Sequence, residues 1–180
     1  DEAEIITGAP ATLVTTGGNL IAGDLIFNNA TTTLLDINTS TANDRFITLT
    51  GAGGSTQAIA DGGATGDLLT LGTAVGSNTI TVGGNSNGAG TARLGIVLTA
   101  SGNFDVVNAG AKLTLSANIS DGGSGFGFTK TGQGTVVLSG INTFSGGISI
   151  NAGTLQIGSG TAFNTTPNTV TFTGSSTLSW

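Results

Sequence analysis

The chain of 180 residues contains no cysteine, histidine, methionine or tyrosine. Without cysteine there are no disulfides, no thiolate chemistry and no cysteine-based metal site. Without histidine the commonest general base and the commonest transition-metal ligand are gone. Charged residues make up only 8%, against about 25% in an ordinary domain. The four bases, Arg45, Arg93, Lys112 and Lys130, are scattered singly among ten acids. Nucleic-acid binding needs clustered cations to displace counterions, so that partner class is excluded, as is a basic face for anionic lipid. Only two prolines occur, Pro10 and Pro167, which excludes a collagen or a proline-rich linker. No run is long and apolar enough for a membrane-spanning helix, so no membrane insertion by this segment is expected. No signal peptide is visible at Asp1, Glu2 and Glu4; an exported protein would be seen here after processing or as a fragment.

What the chain has is glycine, 32 of 180, with hydrophobic residues at 37%. Disorder calls for low hydrophobicity and high net charge, and the even spread of Val, Ile, Leu and Thr argues against it. Apolar–x–apolar pairs recur throughout: Leu25/Phe27, Leu35/Ile37, Ile47/Leu49, Leu69/Leu71, Ile80/Val82, Ile96/Leu98, Leu113/Leu115, Val136/Leu138, Ile148/Ile150, Leu155/Ile157 and Leu178/Trp180. Such alternation between Gly, Asn, Asp, Ser and Thr reads as short half-buried strands joined by tight corners. Helical periodicity is absent.

Leu25, Ile47 and Leu69 lie 22 residues apart, and Leu113, Val136, Leu155 and Leu178 give steps of 23, 19 and 23. A sustained step of 20–23 residues suits one coil of a parallel β-solenoid, with an antiparallel sandwich as the alternative. The expected architecture is all-β, a single domain over 1–180 of about eight coils, forming a rod about 40 Å long. Stacking would build inward ladders of Leu, Ile, Val and Phe, because one coil buries too little to offset its ordering entropy. The eight Phe residues, Phe27, Phe46, Phe104, Phe126, Phe128, Phe144, Phe163 and Phe172, are expected in the core or its corners. Gly51–Gly54, Gly83–Gly90 and Gly122–Gly127 are expected as protruding loops.

Lys130 to Ile157 reads KTGQGTVVLSGINTFSGGISINAGTLQI. This resembles the passenger-associated repeat of bacterial autotransporters: a Gly-Thr-Leu-like strand, Ser-Gly-x-Asn-Thr-aromatic-Ser-Gly-Gly, a strand, then Asn-Ala-Gly-Thr-Leu. Ala109 to Gly123 and the terminal TGSSTLSW look like degenerate copies. The resemblance implies a right-handed parallel β-helix from a Gram-negative bacterium, exported through the outer membrane to the cell surface, where the repeat serves secretion and folding and is not an active site. The family's C-terminal translocator barrel does not follow Trp180 here, so the chain is expected to be a passenger fragment or a free-standing protein of the same repeat. Gly134, Gly140, Gly146–Gly147 and Gly153 fall at turns, Asn142 and Asn151 at corners, and Val136, Leu138, Leu155 and Ile157 point inward.

Polysaccharide-cleaving solenoids need paired carboxylates. Asp24, Asp36, Asp44, Asp61, Asp67, Asp105 and Asp121 stand apart in sequence and are expected to be solvated turn carboxylates, so no enzyme, cofactor or metal site is expected. Gly62 to Leu69 and Gly122 to Phe128 only partly fit a calcium repeat, with Asp67 shifted and Gly127 where Asp belongs. Thr48/Thr50, Thr79/Thr81 and Thr171/Thr173 are not spaced at the coil period, so no ice-binding ladder is expected from them. Both ends lack an evident cap. Ile5, Ile6, Leu178 and Trp180 are therefore candidate self-association residues, and head-to-tail stacking would build filaments. The expected function is a non-catalytic rod, stalk or fibre module in adhesion or matrix contact. Two alternatives remain, a self-assembling filament subunit and a carbohydrate-binding or carbohydrate-cleaving β-helix. The expected partners are accordingly the chain itself or host and matrix glycans or proteins.

Overall fold

A computed structural model describes residues 3–5, 12–14, 20–22, 25–27, 33–36, 45–51, 66–83, 94–163 and 169–180. Apart from a single 3-10 turn at Thr73–Val75, every regular element among them is a strand. The first sheet stacks β1 (Ala3–Ile5), β4 (Leu25–Phe27), β7 (Asp67–Leu71), β10 (Gly102–Val106), β13 (Phe128–Thr131), β15 (Ile148–Ile150) and β17 (Val170–Phe172). The second stacks β2 (Thr12–Val14), β5 (Thr33–Asp36), β8 (Thr79–Val82), β11 (Lys112–Leu115), β14 (Thr135–Leu138), β16 (Gly153–Ile157) and β18 (Ser176–Ser179). The third holds β3 (Leu20–Ala22), β6 (Arg45–Leu49), β9 (Leu94–Leu98) and β12 (Asn118–Ser120). Every pairing is parallel and joins a strand to its counterpart one turn of the chain away. This is a parallel β-helix, and no helical crossover is needed because the chain itself coils.

The described strands form seven rungs where the period suggested about eight, because the coils are unequal. Leu25 pairs with Leu69, 44 residues on, and Ile47 belongs to the third sheet. The 22-residue steps through Ile47 therefore connect different sides of the helix. In the C-terminal half the regular reading holds: Leu113, Val136, Leu155 and Leu178 form one column of the second sheet.

Alternation along each strand sends one face inward. Ile80, Leu113, Val136 and Leu155 are buried in one column, and Val82, Leu115 and Leu138 in the next. Ile47, Ile96 and Ile119 make the corresponding column of the third sheet. Each such side chain contributes roughly 1.5–3 kcal/mol by leaving water. Phe104 stacks on Phe128 at 4.3 Å, and Phe128 meets Phe144 at 5.6 Å. Phe144 comes from residues 139–147, which cover the third side where no strand follows β12 among the described residues. Not all phenylalanines fill the core: Phe46 and Phe172 are exposed. The loop at Gly122–Gly127 has the expected character, with Gly122, Gly123 and Gly125 at positive φ. Of the other two expected loops, residues 52–54 and 84–90 lie outside the described residues.

Candidate functional site

On the outer face of the first sheet, Asn103, Thr129, Ser149 and Thr171 stand in register on four successive rungs. They floor a cleft of about 450 Å³, with Ser101, Gly127, Gly147 and Thr169 along one side. The flanking glycines make that side. A Cβ on Gly127 would come within 2.0 Å of the Gly147 carbonyl oxygen, so only glycine lets the backbone lie down on the next rung. At one end Asn103 donates to the Asp67 carboxylate at 2.9 Å, and Gly127 N–H donates to the Ser101 hydroxyl at 3.1 Å. The Ser149 hydroxyl meets that of Thr173 at 3.2 Å. The Thr129 and Thr171 hydroxyls take part in no hydrogen bond within the described residues. No charged side chain lines the cleft.

The wall is fixed by Asp121, which is only 3% exposed. One carboxylate oxygen accepts from Gly123 N–H at 2.9 Å. The other accepts from Gly125 and Phe126 N–H and from both the N–H and hydroxyl of Ser145, at 2.7–3.1 Å. Burial opposes ionisation, but the Ser145 hydroxyl and the backbone N–H donors outweigh it and hold the pKa down to about 2. The carboxylate thus ties residues 121–127 to the next rung. Its oxygens face N–H and O–H donors, a setting made for an anion and hostile to calcium. The expectation of solvated carboxylates is corrected here: Asp67, Asp105 and Asp121 are all buried. They sit beside strand hydroxyls and amides that sequence spacing could not place next to them. Among the described residues no three acidic groups stand together to hold a metal.

The candidate end residues are placed apart. Ile5 lies in β1 at one end of the first sheet, and Leu178 lies in β18 at the other end of the second. Trp180 is 90% exposed, and Ile6 lies outside the described residues. The threonine pairs fall on three different sheets, Thr48 in β6, Thr79 and Thr81 in β8, and Thr171 in β17, so they form no common ladder.

Residues 128–157 match the passenger-associated-transport-repeat family. Those residues are the part of the chain that is similar to that repeat. The chain is also 35% identical over 112 residues to the adhesin BmaC autotransporter of Brucella suis biovar 1 (strain 1330). That match covers 60% of this chain and 3% of the relative, so the chain corresponds to a small part of that protein's length. No solved structure matches the chain significantly.

Within the passenger repeat, two polar side chains hold the core together from inside. Lys130 follows Phe128 by two residues and so shares its inward face; it occupies the column Leu69, Phe104, Lys130, Ile150. Its side chain is fully buried. Nζ donates to the carbonyls of Thr131, Gly132 (2.9 Å) and Ala152 (3.3 Å), closing the corner between the first and second sheets. Burial pulls its pKa down to about 8, partly offset by attraction to Asp105 on the rung below. Asn142, also fully buried, accepts from Ile119 N–H at 3.0 Å and donates to the Ala162 carbonyl at 2.7 Å, so one side chain joins three coils. Asn118 repeats half of this bond, accepting from Ile141 N–H at 2.8 Å. Asn142 was legible as a corner residue. Lys130 carries one sequence signal for this role, its alternation with the inward-facing Phe128. The cleft column was invisible, because its members are 26, 20 and 22 residues apart and only pairing sets that register.

Proposed function

We propose that this chain is a non-catalytic rod module of a surface adhesin, holding contact faces away from the cell. The observation that carries this reading is the passenger repeat at 128–157, set within a stack of parallel rungs and joined to 35% identity with an adhesin autotransporter. A rod of seven rungs spans roughly 30 Å at the spacing of paired strands. Three features favour a scaffold over a catalyst. The Asp121 carboxylate is consumed by a loop, Lys130 is closed off from solvent, and Asp67 is tied to Asn103. The test is adhesion by the purified chain coupled to beads, on cell monolayers and on matrix-coated surfaces. Attachment above that of albumin-coated beads is expected; attachment equal to albumin on every surface refutes the reading.

A further inference from the structure

We infer that the cleft on the first sheet is a binding site for a neutral, linear polysaccharide lying along the rod axis. The inference rests on the adhesin reading and gives it a ligand class. The floor is a row of one amide and three hydroxyls, Asn103, Thr129, Ser149 and Thr171, one per rung. Rungs are about 4.8 Å apart, so the row is about 14 Å long, on the order of a few sugar rings. Hydroxyls both donate and accept, which matches a polymer that presents hydroxyls at a regular step. Two of them, Thr129 and Thr171, have no partner of their own among the described residues, while the Ser149 hydroxyl is shared with Thr173.

Charge selects within that class. No cation lines the cleft, Asp67 stands at its Asn103 end, and the chain carries ten acids against four bases. A uronic-acid or sulfated chain would therefore meet repulsion with nothing to pair its charges. A peptide fits less well. The cleft lies on the face of a sheet whose backbone groups are already paired along the ladder, so an added strand would find no backbone partners. The loop wall is held rigid by the buried Asp121, so the cleft is preformed and little ordering is needed on binding.

The test is a nuclear magnetic resonance titration of the labelled chain with neutral hexasaccharides (β-1,4-glucose, β-1,4-mannose and α-1,4-glucose). A galacturonate hexamer and an extended serine–threonine peptide serve as comparators. At least one neutral hexamer is expected to shift the amides of Thr129, Ser149 and Thr171 saturably. The isosteric double variant Thr129→Val, Thr171→Val is expected to weaken that binding at least tenfold with an unchanged melting curve. Thr154→Val, on the second sheet, is expected to leave it unaltered. Three results overturn the inference: no response to any neutral hexamer, binding that the double variant leaves intact, or tighter binding of the galacturonate or the peptide. Beads carrying the double variant separate this inference from the adhesin reading. If they still attach while no hexamer binds, the cleft assignment falls and adhesion stands; if no beads attach but a hexamer binds the cleft, the reverse holds.

Discussion

Lys130 offers a clean measurement, because this chain has no histidine, cysteine or tyrosine to titrate between pH 7 and 10. Its ammonium is buried in a column of Leu69, Phe104 and Ile150, and its pKa falls from 10.5 to about 8. The sign follows from proton counts. Between these two values the unfolded chain binds the proton and the folded chain does not, so stability rises with pH across that window. A drop of this size corresponds to at most about 3 kcal/mol, of which about 2–3 kcal/mol is regained between pH 7 and 10. It is an upper value because three carbonyls and Asp105 hold the cation in place. Lys130→Met keeps the length and removes the charge, but leaves those carbonyls without their donor. The penalty of roughly 1–3 kcal/mol for a buried group left unmet is reduced at these half-buried carbonyls, but summed over three of them it still outweighs the relief of burial, and a net loss of about 1 kcal/mol is expected at pH 7. The assay is urea denaturation of both chains at half-unit steps from pH 7 to 10. The gap between them should widen as pH rises, because only the parent gains; every other group is common to both chains and cancels. Parallel curves across that range would refute the account of Lys130 as a desolvated cation.

Three further outcomes follow from the same structure. Asp121→Asn should cost about 2 kcal/mol by weakening charge-assisted bonds to Gly125, Phe126 and Ser145, and those amides should exchange faster with deuterium. Because the Asp121 pKa is lowered from 3.8 to about 2, its stabilisation is complete above pH 3.8 and is lost as pH falls through 2; an acid titration of the variant should lack that component. Asn142→Ala should cost about 2–4 kcal/mol, since Ile119 N–H and the Ala162 carbonyl are both left unmet inside the core, as a shifted thermal melt would show. Gly153→Ala should cost about 3 kcal/mol or more, because φ is +67° there and a Cβ would come within 2.3 Å of the Gly134 carbonyl oxygen; circular dichroism and urea midpoints check it.

The legible parts of the fold are those in which the coil length varies least. From Leu113 onward the steps of 23, 19 and 23 residues are true rung-to-rung steps, and the corner glycines and Asn142 stand where the repeat puts them. Upstream, unequal coils broke the reading. Leu25, Ile47 and Leu69 look like one column, yet Ile47 pairs with Ile96 while Leu25 pairs with Leu69. A period counted along the chain cannot distinguish one full turn from two sides of a longer one. The carboxylates failed for a related reason. Asp121 sits in a glycine-rich stretch that reads as open loop, and its burial depends on Ser145, 24 residues later, arriving on the neighbouring rung.

The all-β class of the molecule needs no coordinates. Alternating apolar pairs without helical period, abundant glycine and few charges indicate short strands joined by tight corners, because these are local properties of the chain, and the resemblance of Lys130–Ile157 to the passenger repeat is what favours a parallel β-helix over an antiparallel sandwich. Which residues meet is a different matter, settled by the packing of the coils. Pairing between rungs is non-local: it sets Asn103, Thr129, Ser149 and Thr171 in one row, puts Lys130 against Asp105, and closes Asp121 under Ser145. Each of those contacts depends on how many residues the intervening corners take up, and that length is fixed by how the coils pack on one another.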